Sequence, residues 1–314
     1  LASCAGRLVV VSYNVENLFD DVTSGEEYAE YRGPRWAQEL YPAKLAALAR
    51  AIRSCAPGGP DLVALQEVES AKALTDLRDR HLQGLGYRQV VFVPQPGAVT
   101  GVGFLSRVEI ARVRAHMVGQ AAGEPLRYIL EVELEHRGRR LRILNNHWKS
   151  KTEGVEATAE GRARAERVLA RRLAELLAAD PEADLVALGD FNENLEELGA
   201  SELLRAVGRP QEAGVSPQEV RLYDPWFELP ESGRGSAAYQ GRWQTPDHIL
   251  LAPGLFDARG FSYRPGDFRV VRSSFLLQGP QGFPRRFLTG RSSAAERGVS
   301  DHLPLCLELR LATP

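Results

Sequence analysis

One pentapeptide occurs twice in this chain, and its surroundings recur with it. The sequence DLVAL stands at 61–65, where it runs into Gln66-Glu67, and again at 184–188, where it runs into Gly189-Asp190-Phe191-Asn192. Short apolar runs that end abruptly in polar residues read as buried strands delivering a side chain to a sheet edge. A helical pattern precedes each copy. The first opens at Pro42 and runs to Ser54, with Leu45, Leu48, Ala49 and Ile52 on one face, and the second is amphipathic over about 155–179. Upstream of each helix lies a further strand, RLVVVSYN ending at Asn14 and RLRILNNH ending at His147. Strand, helix, DLVAL and carboxylate thus appear twice in the same order, which predicts two pseudo-equivalent halves, each contributing a sheet and covering helices.

The remaining pattern is consistent with mixed α/β structure. Residues 70–82 look helical, and strand-like segments follow at about 86–93, 101–106, 109–118 and 127–135, then at 237–243, 247–251, 267–271 and 303–311. Residues 278–300 are aperiodic and longer than an idle loop, which predicts either a rim over a site or a disordered segment. A length of 314 residues supports a sizeable core. No apolar run approaches the roughly 18 residues of a membrane span, so a soluble globular protein is expected. Lys+Arg 39 against Asp+Glu 41 excludes the strongly basic field of a nucleic-acid packager, and any polyanion contact must be local. Three local clusters qualify, Arg137–Arg142, Arg162–Arg172 and Arg285–Arg291, although the second is interleaved with Glu160, Glu166 and Glu175 and reads by default as a self-paired helix face. Among the cysteines, Cys55 and Cys306 are either bridged or two buried free thiols, and no metal-type Cys/His spacing occurs. Leu1-Ala2-Ser3-Cys4 resembles the bacterial lipoprotein box. That resemblance implies a tether over 1–6, membrane attachment through a lipidated Cys4, and a periplasmic or extracellular place in the cell envelope; the alternative is an arbitrary start and a cytoplasmic protein.

Polar residues collect at the ends of the apolar runs: Asn14, Glu67, His147, Asp190 with Asn192, Asp247, and Asp301 with His302. Any one of them has a structural explanation as a cap, turn former or satisfied core histidine. Eight residues at six run ends, all sharing one relation to a strand, predict a cleft where sheet edges meet. Carboxylates without cysteine suit a hard ion such as Mg²⁺, with Mn²⁺ or Ca²⁺ as substitutes, and metal-assisted attack on a phosphoester.

The motifs YNVENLF (13–19), LQEV (65–68), NHW (146–148), GDFN (189–192), TPDHIL (245–250) and SDHLP (300–304) resemble, in order, those of the endonuclease/exonuclease/phosphatase superfamily. The resemblance runs from about residue 8 to 309. It implies the deoxyribonuclease I-like fold, a four-layered α/β sandwich of two packed mixed sheets flanked by helices, with 7–314 as one domain. By the same resemblance Glu67 is the principal metal ligand, with Asn14 and Asp301 completing the metal neighbourhood. Asp190, helped by Asn192, orients or activates water. His302, held by Asp247, contacts the phosphate or acts as base, and His147 donates to the phosphate or protonates the leaving group. Pro246 departs from the family pattern, and because proline removes a ladder donor, Asp247 is expected to begin its strand. Lys149 and Lys151, two of only four lysines, follow His147 and are candidate phosphate contacts. The expected activity is a metal-dependent phosphoester hydrolase, foremost a nuclease acting on nucleic acid as a monomer. The alternatives are a phosphatase or phosphodiesterase for small or lipid phosphoesters of the inositol phosphate or sphingomyelin type, and a silent surface-interaction protein.

Overall fold

The computed structural model describes residues 6–312 apart from 217, 258, 291, 292, 294 and 295. Cys4 and the proposed tether lie outside the described residues. In chain order the main elements are β1 (Arg7–Leu18), α1 (Tyr41–Ser54), β2 (Leu62–Val68), α2 (Ala71–Asp76), β3 (Gln89–Phe92), β4 (Gly101–Ser106), β5 (Glu109–His116), β6 (Ile129–His136), β7 (Arg139–His147), α3 (Val155–Ala179), β8 (Leu185–Asp190), α4 (Leu195–Gly199), β9 (Leu204–Val207), β10 (Val220–Tyr223), β11 (Ala237–Tyr239), β12 (Arg242–Gln244), β13 (Asp247–Leu251), β14 (Phe268–Val270) and β15 (Leu305–Leu311).

Two mixed sheets carry the fold. The first runs β15-β1-β2-β4-β3, and the second runs β6-β7-β8-β13-β10-β9 with β5 outside β6. Their directions correspond. In each sheet one parallel pair sits at the centre, β1 with β2 and β7 with β8. An antiparallel strand flanks each side of that pair, β15 and β4 in the first sheet, β6 and β13 in the second. Leu65 pairs with Tyr13 and Leu188 with Asn145, so the two DLVAL copies occupy equivalent central strands, with registers offset by one residue relative to Asn14 and His147. The correspondence is circularly permuted, since the partner of β1 comes from the far end of the chain.

Alternation along β1 shows how the layers form. Leu8 and Val10 enter the cluster shared with the second sheet and α3, while Val11 and Tyr13 pack against α1 and α2. Central parallel strands covered on both faces must be apolar at nearly every position, which is the pattern of both DLVAL runs. On α1 the buried residues include Leu45, Leu48 and Ile52, each contributing about 1.5–3 kcal/mol by burial. Ser70 caps α2 by accepting from Ala73 N at 3.1 Å.

Several sequence expectations change in detail. β1 continues past Asn14 to Leu18 through a register break, and Glu16 and Asn17 there have φ of 52° and 56°. A matching break falls between Gln66 and Val68, where Glu67 has φ of 62°. Bulges re-aim side chains and leave no signal in hydrophobic periodicity. The strand expected over 237–243 is the hairpin β11–β12, turning at Gln240-Gly241, both at positive φ. Cys55 and Cys306 are buried free thiols. Cluster Arg137–Arg142 lies where β7 begins, about 26 Å of strand from His147 at its other end, so it does not flank the site. Cluster Arg162–Arg172 is largely engaged internally, with Arg162 on Glu193, Arg164 on Glu160, Arg171 on Glu175 and Arg172 on Glu131.

The last of these pairs clamps α3 to the second sheet. Arg172 donates to both Glu131 oxygens at 2.7 and 2.9 Å, and His116 Nε2 lies 2.7 Å from Oε2. Burial opposes ionisation of Glu131, but the hydrogen bonds from His116 and Arg172 and the Arg172 charge prevail and hold its carboxyl at about 2. A depressed folded value means that this contribution is complete above the ordinary carboxylate range and disappears as pH falls through about 2. Glu131→Gln is expected to cost about 1.5–3 kcal/mol at pH 7, with the gap to wild type narrowing between about pH 5 and 2 in denaturant titrations. A pH-independent gap would refute the ionic clamp. Gly189 supplies a second test: at φ +129° an added Cβ would stand 2.0 Å from the Asn146 carbonyl oxygen. Gly189→Ala should lose more than about 2 kcal/mol in the same assay, and an unchanged midpoint would refute the close approach.

Candidate active site

The C-terminal ends of β1, β2, β7 and β8, with the start of β13, meet at one edge of the packed sheets. Asn14 occupies the centre. Its Nδ2 donates to Glu67 Oε1 at 3.1 Å and to Asp190 Oδ2 at 2.9 Å, linking a carboxylate of the first sheet to one of the second. Its Oδ1 accepts from Glu16 N at 3.0 Å. Asn14 therefore presents its N–H groups to the carboxylates and spends its oxygen on the backbone, so the part it plays here is positioning the acids. Glu67 Oε2 accepts from Asn17 N at 2.8 Å, a bond that the bulge of β1 makes available.

His147 Nε2 lies 3.8 Å from Glu67 Oε1 and 3.7 Å from Asp190 Oδ2, while its buried Nδ1 has no partner among the described residues. Burial, with the Arg127 and His302 charges, pulls its basicity well below the ordinary imidazole value. A neutral ring follows, suited to donating a hydrogen bond rather than a proton.

Asp247 pairs with Asp190 in register and is the first residue of β13. Phe191 N donates to Pro246 O at 2.8 Å, so the proline still takes part through its carbonyl. Asp247 Oδ2 accepts from His302 Nδ1 at 2.7 Å and from Ser236 Oγ at 2.5 Å. The ring is thereby fixed with Nε2 4.0 Å from Asp190 Oδ2 and 3.9 Å from Asp301 Oδ1. Burial opposes the imidazolium, but Asp247, Asp190 and Asp301 together raise it well above the ordinary value. Asp190 is pushed up to about 7, by burial first and then by Asp247, against His302 and the Asn14 and Asn192 hydrogen bonds. Asn192 holds the turn at φ 51°, donating from its backbone to Asp190 Oδ1 at 2.9 Å and from Nδ2 to Trp148 O at 3.1 Å.

The donor set fits a hard divalent ion: Glu67, Asp190 and Asp301 supply oxygens, and no thiolate is near. Asp190, Asp247 and His302 also offer ligand atoms within 4.8 Å of one another. Asp247 Oδ2 is already occupied by two donors, however, which is how a carboxylate orients an imidazole.

Lys149 and Lys151 sit beside the site but are not free charges. Lys149 Nζ pairs with Glu124 and Glu153 at 2.9 and 2.8 Å, and Lys151 with Glu193 and Glu197, both at 2.6 Å. Two unexpected charged residues, Lys44 and Glu16, stand with Arg286 of the Arg285–Arg291 cluster near Asp301. Lys44 is fully buried and donates to Val299 O at 2.8 Å, with burial drawing it down to about 8 against Glu16, Asp301 and Glu67. Glu16 accepts from Arg286 Nε at 2.6 Å and Phe287 N at 3.0 Å, and Arg286 Nη2 reaches Asp301 Oδ2 at 3.4 Å. These contacts hold Arg286, Phe287 and Val299 beside Glu16, Lys44 and Asp301. The available signal was helical phase, since Lys44 lies four residues before Leu48 on the apolar face of α1.

Comparison with known proteins agrees with this arrangement. A model described as Endonuclease/Exonuclease/phosphatase family matches residues 9–311. No curated protein matches at a significant level. Among solved structures, D. rerio TDP2 complexed with single strand DNA product superposes with a TM-score of 0.60 at 15% identity, covering 97% of this chain and 99% of that one. An endonuclease/exonuclease/phosphatase family protein from Bacteroides thetaiotaomicron gives 0.60 at 17%, covering 96% and 97%. The human Nocturnin catalytic domain with bound sulfate anion gives 0.56 at 17%, covering 96% and 94%. These likenesses establish the fold, and the family match spans nearly the whole chain. The chain belongs to the endonuclease/exonuclease/phosphatase family.

Proposed function

We propose that this protein is a Mg²⁺-dependent phosphodiesterase that cleaves nucleic acid by in-line attack of water. The observation that carries the reading is the fixed His302, with Nδ1 on Asp247 and Nε2 at 4.0 Å from the buried Asp190. A separation of that size admits a phosphoryl oxygen or water that touches both groups. Asp190, its carboxyl raised to about 7, is suited to take the proton of an attacking water near neutral pH. His302, held protonated by its three carboxylate neighbours, is suited to donate Nε2–H to a phosphoryl oxygen. His147, neutral, donates a second hydrogen bond from the opposite side. Glu67, with Asp301 nearby, would hold the ion, whose chemistry when bound is neutralisation of phosphoryl charge and stabilisation of the leaving alkoxide. Buried carboxylates and a raised imidazole impose a cost that a purely adhesive surface has no use for, which favours an enzyme over a silent module. The DNA-bound D. rerio structure on the same fold supports nucleic acid as the first substrate to test.

Purified protein is expected to turn over bis(p-nitrophenyl) phosphate and degrade single-stranded DNA or RNA with Mg²⁺ or Mn²⁺, and to lose both activities in EDTA. Metal-dependent hydrolysis of phosphoinositides or small monoesters without any nucleic-acid cleavage would reject the nuclease reading. Turnover of none of these would reject the enzyme. His302→Ala should lower kcat by at least about 100-fold while its melting transition remains cooperative. Wild-type kcat in that variant would remove His302 from the mechanism.

A further inference from the structure

Beside His147, on the side away from Asp247, a trough of about 450 Å³ opens between the 97–100 loop and the first turns of α3. Tyr28, Arg127, His147 and Lys149 line it. His147 lines this trough and also faces Glu67 and Asp190, so the trough and the carboxylate site adjoin across its ring. The cations differ. Lys149 is engaged by Glu124 and Glu153, whose side chains are 64% and 66% exposed on the rim. Arg127 is half-buried and makes no hydrogen bond or ion pair among the described residues. The Glu124 charge lies within reach of Arg127, but a guanidinium that makes no hydrogen bond retains its bidentate capacity for an anion. Tyr28 is 44% exposed, unusual for a ring held edge-on against Phe19 at 5.6 Å. A free guanidinium and an exposed aromatic in one trough are the two elements that bind a single strand without regard to sequence, one for the backbone and one for a base.

We propose that this trough is the subsite for the nucleotide next to the scissile phosphate, with its phosphate on Arg127 and its base against Tyr28. The inference rests on the nucleic-acid reading above and deepens it. A single-stranded polynucleotide uses both contacts at once, whereas a lone phosphoester has no group to place on Tyr28. Glu124, on the rim, opposes the incoming phosphate and limits its affinity.

The test separates this subsite from the catalytic reading. Binding of fluorescein-labelled decathymidylate is followed by anisotropy in EDTA, without turnover, and bis(p-nitrophenyl) phosphate hydrolysis is followed with Mg²⁺. Arg127→Gln should weaken oligonucleotide binding at least fivefold more than it lowers kcat/KM for the small diester, and should reduce the salt slope by about 0.7. Tyr28→Leu should weaken binding by about tenfold, the size of one lost base stack. Glu124→Gln should strengthen it. Wild-type affinity in both Arg127→Gln and Tyr28→Leu would overturn the proposal, as would failure of the wild type to bind the oligonucleotide. Equal losses on both measurements in Arg127→Gln would also overturn it, because Arg127 would then be acting through His147. Phosphoinositide vesicle binding that depends on Arg127 while oligonucleotide binding does not would place a lipid there instead. Absence of any metal-dependent turnover would reject the catalytic reading, and the binding measurements would still decide the subsite.

Discussion

A buried amide ties the carboxylates of the two sheets together. Asn14 Nδ2 donates both to Glu67 and to Asp190, carboxylates 123 residues apart in sequence and in different sheets. Two anions converging in a low-dielectric edge repel unless a donor lies between them, and an amide supplies two N–H groups without adding a charge that would neutralise either acid. The rest of the site is arranged about that clamp, with His147 on one side, His302 on the other and the bulges of β1 and β2 turning Glu67 inward.

The clamp is supported by charges that lie deeper than the reacting groups. Lys44, fully buried with one carbonyl for a partner, is tolerable because Glu16, Asp301 and Glu67 surround it. Glu16 in turn draws Arg286 and the Phe287 backbone over the site. An uncompensated buried charge costs several kcal/mol, so each member requires the others. Charges at the surface follow a different rule. Several of the arginines expected to bind phosphate, Arg142, Arg162, Arg164, Arg171, Arg172 and Arg286, are paired with glutamates, whereas Arg127 makes no ion pair among the described residues.

Much of this was legible in the strand ends. Both DLVAL runs occupy equivalent central strands, and the site forms because β1, β2, β7 and β8 deliver Asn14, Glu67, His147 and Asp190 at their C-terminal ends to the edge where β13 starts with Asp247 and the chain enters β15 past His302. Proline at 246 correctly marked the start of β13. The glutamates that engage Lys149 and Lys151 could not be read from adjacency to His147 in sequence. Lys44 and Glu16 were overlooked because a lysine on a helix and a glutamate after a strand are ordinarily solvated. The bulges at Glu16-Asn17 and Glu67 were invisible, since a positive φ at a non-glycine residue is imposed by neighbouring strands and not by local preference.

The sequence by itself determined which elements form, which of their faces are buried, and which chemical groups arrive at the sheet edge. These depend on local periodicity and on side-chain type. Tertiary structure alone decided the setting of each group there: that Asn14 faces the acids with its nitrogen, that burial lowers the basicity of His147 while three carboxylates raise that of His302, and that Arg127 makes no hydrogen bond where the lysines are taken. Protonation and pairing are set by distances of a few ångströms between residues far apart in the chain, and those distances exist only after the two sheets have packed.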